Sequence, residues 1–173
     1  MVKHTRFEDI PRFITFGHWE CDFRPNEVIE FVEKHQVDMN PDFQRGHVWT
    51  EAQQIAWVEF YLRGGKTGRV LYFNCPSWQK SNHNYDEFVI VDGKQRYEAL
   101  RRFVQDEIEV FGSRYSEFTD CVRVHHSIKI NINDLPTRRD VLRWYLEMNS
   151  GGTPHAQSEL SRVKQLLEAE KGG

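Results

Sequence analysis

The sequence lacks paired cysteines and long apolar runs. Its three cysteines, Cys21, Cys75 and Cys121, are odd in number and far apart, so they predict neither a disulfide framework nor a zinc ribbon. No stretch approaches the roughly 18 apolar residues of a membrane helix, and no apolar segment near the first residue indicates a signal peptide. These absences predict a cytoplasmic protein with no membrane partner.

An excess of positive charge is also missing. The 23 Lys and Arg residues are outnumbered by 26 Asp and Glu residues, which gives a net charge of −3. This balance argues against a protein that grips duplex DNA by bulk charge, because non-specific DNA affinity comes from many phosphate contacts. No H-E-x-x-H metal motif, serine nucleophile elbow or Walker loop occurs, which removes several large enzyme classes.

The hydrophobic pattern is that of a mixed α+β protein. A length of 173 residues with 39% hydrophobic and 28% charged residues predicts one domain with a proper core. Apolar residues alternate in some segments and recur at helical spacing in others. Strands are predicted at 37–39, 70–73, 87–91, 107–111, 121–124 and 127–132; helices at 25–35, from 50 to a glycine pair at 64–65, from the turn after 91 to about 105, at 136–148 and from about 154.

One predicted helix has a clear start signal. Thr50 is followed three residues later by Gln53, the spacing of a capping box in which each side chain bonds the other residue's backbone. One face of this helix carries Ile55, Val58 and Leu62. Its other face carries Trp57, Phe60 and Tyr61. We therefore expect the helix to be buried on two sides.

The stretch 88–97 joins an apolar strand to a helix through a polar turn. Asp92, Gly93, Lys94, Gln95 and Arg96 place a carboxylate, an amide and two cations at the start of the helix. Backbone N–H groups also point outward at a helix N-terminus, so this turn suits a phosphate or another anion. The alternative is structural, because Asp92 and Gln95 have capping-box spacing and Asp92 could simply cap its helix.

Two other segments are weak evidence for a functional site when each is taken alone. Gln44 and Arg45 precede the helix that Thr50 opens, and a structural turn in which the arginine pairs with an acid explains them as well as a site does.

The second segment begins at Asn149 and includes Gly151, Gly152 and Thr153. A helix stop followed by a new N-cap accounts for these residues. A backbone cradle for phosphate is the functional alternative.

Taken together, the three segments resemble one family. P-D-F-Q-R-G-H-V-W, then V-D-G-K-Q-R-Y-E-A-L, then M-N-S-G-G-T-P with a following S-E-L are similar in content and order to the ParB/sulfiredoxin-like domain with a D-G-Q-Q-R motif. That domain forms the N-terminal half of GmrSD-type, modification-dependent restriction enzymes and occurs in many phage and defence proteins. The segments span 40–160. The resemblance implies a mixed sheet flanked by helices in a single compact α+β domain over 1–173. The residue pattern itself predicts an N-terminal arm at 1–24 and a C-terminal helix at 154–170.

The resemblance also implies a site. It suggests a nucleoside triphosphate as ligand or substrate and Mg²⁺ as cofactor, held by Asp92. The implied catalytic residues are Asp92, Gln95 and Arg96, and the implied nucleotide-binding residues are Gln44, Arg45, Gly93, Lys94, Asn149, Gly151, Gly152 and Thr153.

The chain departs from the family pattern at three points. Lys94 replaces the first glutamine of D-G-Q-Q-R, which favours phosphate binding but removes an amide that could position water. The 173 residues leave no room for the helical and HNH nuclease region of the longer enzymes. Residues 92–96 contain no cysteine, so sulfiredoxin chemistry is rejected.

Three functions remain as hypotheses. The first is a nucleotide-binding domain with Mg²⁺-dependent NTPase activity, acting in phage biology or in restriction of foreign DNA. The second is a weak ParB-like DNA nuclease, against which the negative charge counts. The third is a non-catalytic interaction protein that inhibits or completes a restriction system by binding a separate nuclease subunit.

Overall fold

The computed structural model describes residues 5–6, 19–44, 49–80, 87–122, 126–150 and 157–170. Within them, a four-stranded mixed sheet is flanked by five α-helices, which confirms the predicted α+β class. The strands are β1 (Trp19–Phe23), β2 (Val70–Asn74), β3 (Val89–Asp92) and β4 (Ile128–Asn133); the helices are α1 (Pro25–Lys34), α2 (Glu51–Leu62), α3 (Lys94–Val104), α4 (Arg138–Ser150) and α5 (Gln157–Ala169).

The sheet has the strand order β1-β4-β2-β3. The central pair, β2 and β4, is parallel, whereas both outer pairs are antiparallel. Successive strand residues point to opposite faces, so Ile128, Ile130 and Ile132 all enter one core cluster. That cluster includes Val28 of α1 and Leu100 of α3, which places these two helices on one face of the sheet.

Helices α4 and α5 cover part of the opposite face. Val89 and Val91 of β3 share a second buried cluster with Leu142 and Tyr145 of α4 and Val163 of α5. A third cluster joins α2 to the outer side of α3. The turn between β3 and α3 therefore joins the sheet to a helix that is packed on both sides.

The start of α2 confirms the predicted capping box. The Thr50 hydroxyl accepts a hydrogen bond from the Gln53 backbone N–H at 3.3 Å, and the Gln53 side-chain oxygen accepts one from the Thr50 N–H at 2.9 Å. These bonds satisfy donors that have no partner inside the helix. The expectation of burial on both sides of α2 is wrong at Phe60, whose side chain is 45% exposed.

We expect Thr50→Ala to lower the free energy of unfolding by about 1 kcal/mol, because it removes the hydroxyl cap. Thr50→Ser keeps the hydroxyl and should be nearly neutral. Urea unfolding of both variants measures the difference. Equal losses in the two variants would show that the methyl group, rather than the cap, stabilises this position.

The structure differs from the predicted elements at both ends of the sheet. Residues 19–23, predicted as part of an extended arm, form strand β1 and pair with β4. The strand predicted at 37–39 is a single bridge between Asp38 and Val89.

The strand predicted at 107–111 is wrong. Its one backbone pairing is an isolated bridge between Val110 and Ser113. Asp106 and Phe111 have positive φ angles of 61° and 56°, so the chain turns at both ends of this segment. Of the strand predicted at 121–124, residues 121 and 122 belong to no strand, and 123–124 lie outside the described residues.

All three cysteines are free thiols, and Cys75 is buried. In the described part of the chain, no helix combines the length and the apolar character needed to cross a membrane.

Candidate functional site

The predicted anion-binding turn lies between β3 and α3. Strand β3 ends at Asp92, and α3 begins at Lys94 with Gly93 as its N-cap. Gly93 has a φ of 104°, a left-handed conformation that favours glycine. A Cβ atom at this position would lie 2.5 Å from Cδ2 of Leu71 in β2. The absence of a side chain at Gly93 thus allows the turn to lie in close contact with β2.

Asp92 does not cap α3, so the structural alternative of an Asp92–Gln95 capping box is wrong. The N-cap is Gly93, and no side chain caps it. The Asp92 carboxylate instead accepts a hydrogen bond from Nη2 of Arg96 at 2.5 Å, one helical turn further along the chain. A charged hydrogen bond of this kind fixes the direction of the guanidinium.

The Arg96 guanidinium is fixed by Asp92 but uses only part of its hydrogen-bonding capacity. Its side chain is 17% exposed, and a guanidinium has five N–H donors. Within the described residues, its one hydrogen-bond partner is Asp92. The remaining donors of a fixed cation therefore stay available to an anion beside the first turn of α3.

Gln95 and Lys94 connect α3 to the segments before α2. The Gln95 side-chain oxygen accepts a hydrogen bond from the Trp49 backbone N–H at 3.1 Å. Lys94 donates from Nζ to the side-chain oxygen of Asn40 at 2.7 Å. Both polar groups that were predicted to act on a nucleotide thus also have structural partners.

Gln44 lies next to the turn between β3 and α3. Its side-chain nitrogen donates to the backbone oxygen of Val91, the residue before Asp92, at 2.5 Å. The neighbouring Phe43 packs against Tyr145 of α4, with ring centroids 5.5 Å apart. Arg45 lies outside the described residues.

The third predicted segment is described only at Asn149. This side chain is buried and donates to the backbone oxygen of Tyr145 in its own helix at 2.7 Å. In the described residues, no hydrogen bond joins Asn149 to Asp92 or Arg96. Gly151, Gly152 and Thr153 lie outside the described residues.

Asp92, the predicted Mg²⁺ ligand, has no further metal-binding side chains grouped with it in the described part of the chain. Among the described residues, no group of three or more His, Cys, Asp or Glu side chains could hold a metal ion. Asp92 is a single carboxylate that is already paired with Arg96. Mg²⁺ needs six oxygen ligands and accepts one carboxylate only where phosphates and water supply the rest. The described residues alone do not fit this ion.

The structure adds two residues that the sequence pattern did not indicate. They are Gly68, in the loop between α2 and β2, and Trp57 of α2: a Cβ atom built on Gly68 would lie 3.6 Å from Nε1 of Trp57 and 3.7 Å from Nη1 of Arg96. Trp57 stacks on Tyr61, with ring planes 8° apart and centroids at 5.6 Å, and its ring centroid is 6.3 Å from that of Trp49. Trp49, Trp57 and Tyr61 therefore form a group of adjacent aromatic rings, and Trp57 lies near Gly68.

A cavity lies elsewhere on the molecule, away from the turn at Asp92. It has a volume of about 530 Å³, and neither Asp92 nor Arg96 lines it. Phe103, Phe111 and Phe118 form much of its wall. None of the described residues that line it belongs to the turn at Asp92.

No family model matches this chain, and no curated protein or solved structure matches it either. The resemblance to the ParB/sulfiredoxin-like domain therefore stays a prediction from the sequence.

Proposed function

We propose that this chain is a nucleotide-binding domain that holds a nucleoside triphosphate at the turn between β3 and α3. One observation carries the proposal: Asp92 fixes the Arg96 guanidinium beside a helix N-terminus while leaving most of its donors unused. Arginine matches the geometry of phosphate oxygens, and a helix N-terminus favours negative charge. Two independent sources of positive potential thus meet at one place.

The finer proposal is hydrolysis that depends on Mg²⁺, in phage biology or in restriction of foreign DNA. It rests on the resemblance of the three motifs, as does a nuclease subunit as partner. A cytoplasmic location is proposed from the unpaired cysteines. Asp92 alone cannot supply all the oxygen ligands that Mg²⁺ needs, and a bound triphosphate would add phosphate oxygens. The metal would help to neutralise the phosphate charge. Gln44, which holds the backbone of Val91, would position the turn.

The contacts also support a second candidate, in which nucleotide is bound but not hydrolysed. A general base must reach a water molecule and be free to accept its proton. Asp92 is paired with Arg96, and the Gln95 oxygen is occupied by the backbone of Trp49. This arrangement favours the interaction protein over the enzyme, with nucleotide as the ligand that controls its partner.

Thermal unfolding with ATP, GTP, CTP or UTP, each with and without Mg²⁺, tests the shared proposal. We expect at least one nucleotide to raise the melting temperature, because a ligand at 100 times its Kd stabilises the fold by about 2.7 kcal/mol. Asp92→Asn should reduce this shift strongly, since the amide no longer anchors Arg96 as an ion pair. Asp120→Asn, at an exposed carboxylate away from the turn, is the matched control.

Phosphate release in the same samples separates the two candidates. Release that stops in Asp92→Asn supports the NTPase, and binding without release supports the interaction protein. No stabilisation by any of the four nucleotides would contradict the shared proposal. Cleavage of plasmid DNA that is lost in Asp92→Asn would favour the nuclease alternative instead.

A further inference from the structure

The cavity of about 530 Å³ lies beside the C-terminal ends of α2 and α3, where Leu62 and Phe103 line it. Pockets that bind small molecules have volumes of about 300–1,000 Å³ and are lined mainly by apolar and aromatic side chains. The apolar lining residues here are Leu62, Phe103, Phe111, Tyr115, Phe118 and Val122. Both the volume and the lining of this cavity therefore match a small-molecule site.

Three of the aromatic rings are packed against one another. The Phe103 ring, in the core cluster between α2 and α3, lies nearly perpendicular to the rings of Tyr115 and Phe118. The ring centroids are 5.4 Å and 6.0 Å apart, and the ring planes meet at 88° and 83°. Edge-to-face pairs of this kind are a favourable aromatic arrangement. The rings thus have defined orientations before any ligand arrives.

The segment 106–118, which carries three of the aromatic lining residues, is anchored to the core. Ile108 and Val110 are both buried, and the Asp106 carboxylate accepts a hydrogen bond from the backbone N–H of Ser116 at 2.9 Å. A wall that is already in place costs a ligand less ordering entropy on binding. The cavity is therefore preformed on this side.

Two exposed phenylalanines are concentrated at this cavity. Among the described residues, the large apolar side chains that are exposed are Phe60, Phe111 and Phe118, and the last two line the cavity. Phe111 also has a φ of 56°, an uncommon conformation for a bulky residue. Its ring is 47% exposed, and the Arg63 guanidinium lies 5.1 Å from the ring centroid. A single exposed phenylalanine is ordinary, but two at one cavity indicate a binding surface.

The full charges in the lining cancel. Arg24 contributes one positive charge and Asp120 one negative charge. Transfer of an ion from water to an apolar cavity is costly unless an opposite charge pairs with it. The lining therefore has no net preference for an anion or a cation, and an uncharged ligand fits it best.

We propose that this cavity binds an uncharged aromatic molecule of two or three rings, packed against Phe111, Tyr115 and Phe118. A cavity of about 150 Å³ holds one benzene ring, so this volume has room for a larger ring system. Aromatic pairs gain free energy beyond the area that they bury, which favours a flat ring over an aliphatic group of the same size. The site is separate from the turn at Asp92 and does not depend on nucleotide binding.

Calorimetric titration with naphthalenemethanol, an uncharged compound with two rings, tests the proposal. We expect saturable binding at one site. Phe111→Ala and Phe118→Ala should each weaken the binding about tenfold, because each variant removes an aromatic contact and apolar area. Phe60→Ala is the matched control, since Phe60 is 45% exposed and does not line the cavity. Equal losses in all three variants, or no loss in any, would overturn the site.

Three related compounds test the class of ligand. Naphthoate adds a negative charge, naphthylmethylammonium adds a positive charge, and decahydronaphthalenemethanol replaces the aromatic rings by aliphatic ones. We expect naphthalenemethanol to bind most tightly of the four. Tighter binding of either ion would contradict an uncharged ligand, and equal binding of the aliphatic compound would contradict an aromatic one.

The cysteines locate the bound molecule in the wild-type protein. Cys121 is exposed and lines the cavity, whereas Cys21 is exposed on β1 and does not line it. Saturating naphthalenemethanol should slow the alkylation of Cys121 by iodoacetamide and leave that of Cys21 unchanged, as measured by mass spectrometry of peptides. Equal rates at Cys121 with and without the compound would place the binding elsewhere and overturn the proposal.

Two further results would also overturn the proposal. One is a wild type that binds none of the four compounds. The other is a dimer in sedimentation that Phe111→Ala dissociates, which would assign the cavity to an interface between two copies of the chain. Neither result bears on the nucleotide site, because that site is tested with other ligands and with variants at Asp92.

Discussion

Arg96→Ala is expected to weaken nucleoside triphosphate binding by about 10- to 100-fold, because each hydrogen bond between charged groups contributes about 1.5–3 kcal/mol. The fold should lose much less. The Arg96–Asp92 pair is partly exposed, and such pairs contribute about 1 kcal/mol or less to stability. Calorimetric titration with nucleotide and urea unfolding of the same variant measure the two effects.

Two further variants sharpen this result. Arg114→Ala removes an exposed arginine that pairs with Glu109 at 3.7 Å, and it should leave nucleotide binding unchanged. Arg96→Lys keeps the charge but loses the planar fork of donors, so it should restore only part of the affinity. Equal affinity in Arg96→Ala and wild type would remove the observation on which the proposed function rests.

Gly93→Ala is expected to be the most destabilising single change at the turn. The left-handed conformation costs alanine about 1–2 kcal/mol, and the new methyl group would overlap Leu71, whose side chain is buried. Overpacking of a core position adds about 1–3 kcal/mol. Urea unfolding should therefore show a loss of about 2–5 kcal/mol.

Gly112→Ala isolates the backbone part of this effect. Gly112 has a φ of +76° and open space around its Cβ position, so alanine there should cost only the conformational 1–2 kcal/mol or so. A cost at Gly93 no larger than that at Gly112 would mean that Leu71 moves aside freely. The close contact between the turn and β2 would then contribute nothing to the rigidity of the site.

The sequence contains two pairs at capping-box spacing, one predicted to cap its helix and one with capping as the structural alternative, and they show where a local pattern succeeds and where it fails. Thr50 and Gln53 form a capping box, whereas Asp92 and Gln95, with the same spacing, do not. The residues after Asp92 give two reasons why it does not cap its helix. Gly93 takes the left-handed conformation and becomes the N-cap, and Arg96 offers the carboxylate a charged partner one turn away.

The segment 107–111 shows a different limit. Its apolar residues alternate with acidic ones, and Ile108 and Val110 are both buried in the cluster between α2 and α3. Alternation does not identify a hydrogen-bonding partner, however, and here the apolar side chains reach the core from a turn rather than from a sheet. Burial was encoded locally, but strand pairing was not.

The aromatic side of the site could not be found from the sequence. The apolar and aromatic residues of α2 are spread around the whole helix, so the sequence does not single out one buried face. Trp57 and Arg96 both lie near Gly68 because α2 packs against α3, a contact between segments far apart in the sequence. The Asp92–Arg96 pair, in contrast, spans one helical turn and follows directly from local geometry.

The parallel pairing of β2 with β4 has a consequence for the order of folding. Val70 lies opposite Lys129, and β1 pairs with the same distant strand. During synthesis, β1 and β2 therefore have no common partner until Ile128–Asn133 has emerged from the ribosome. The hairpin of β2 and β3, and with it the turn at Asp92, can form earlier, but with one edge of β2 open. Pairings across such long loops form slowly, and open strand edges attract other chains. Nascent chains that stop before β4 are therefore the ones that a chaperone must protect.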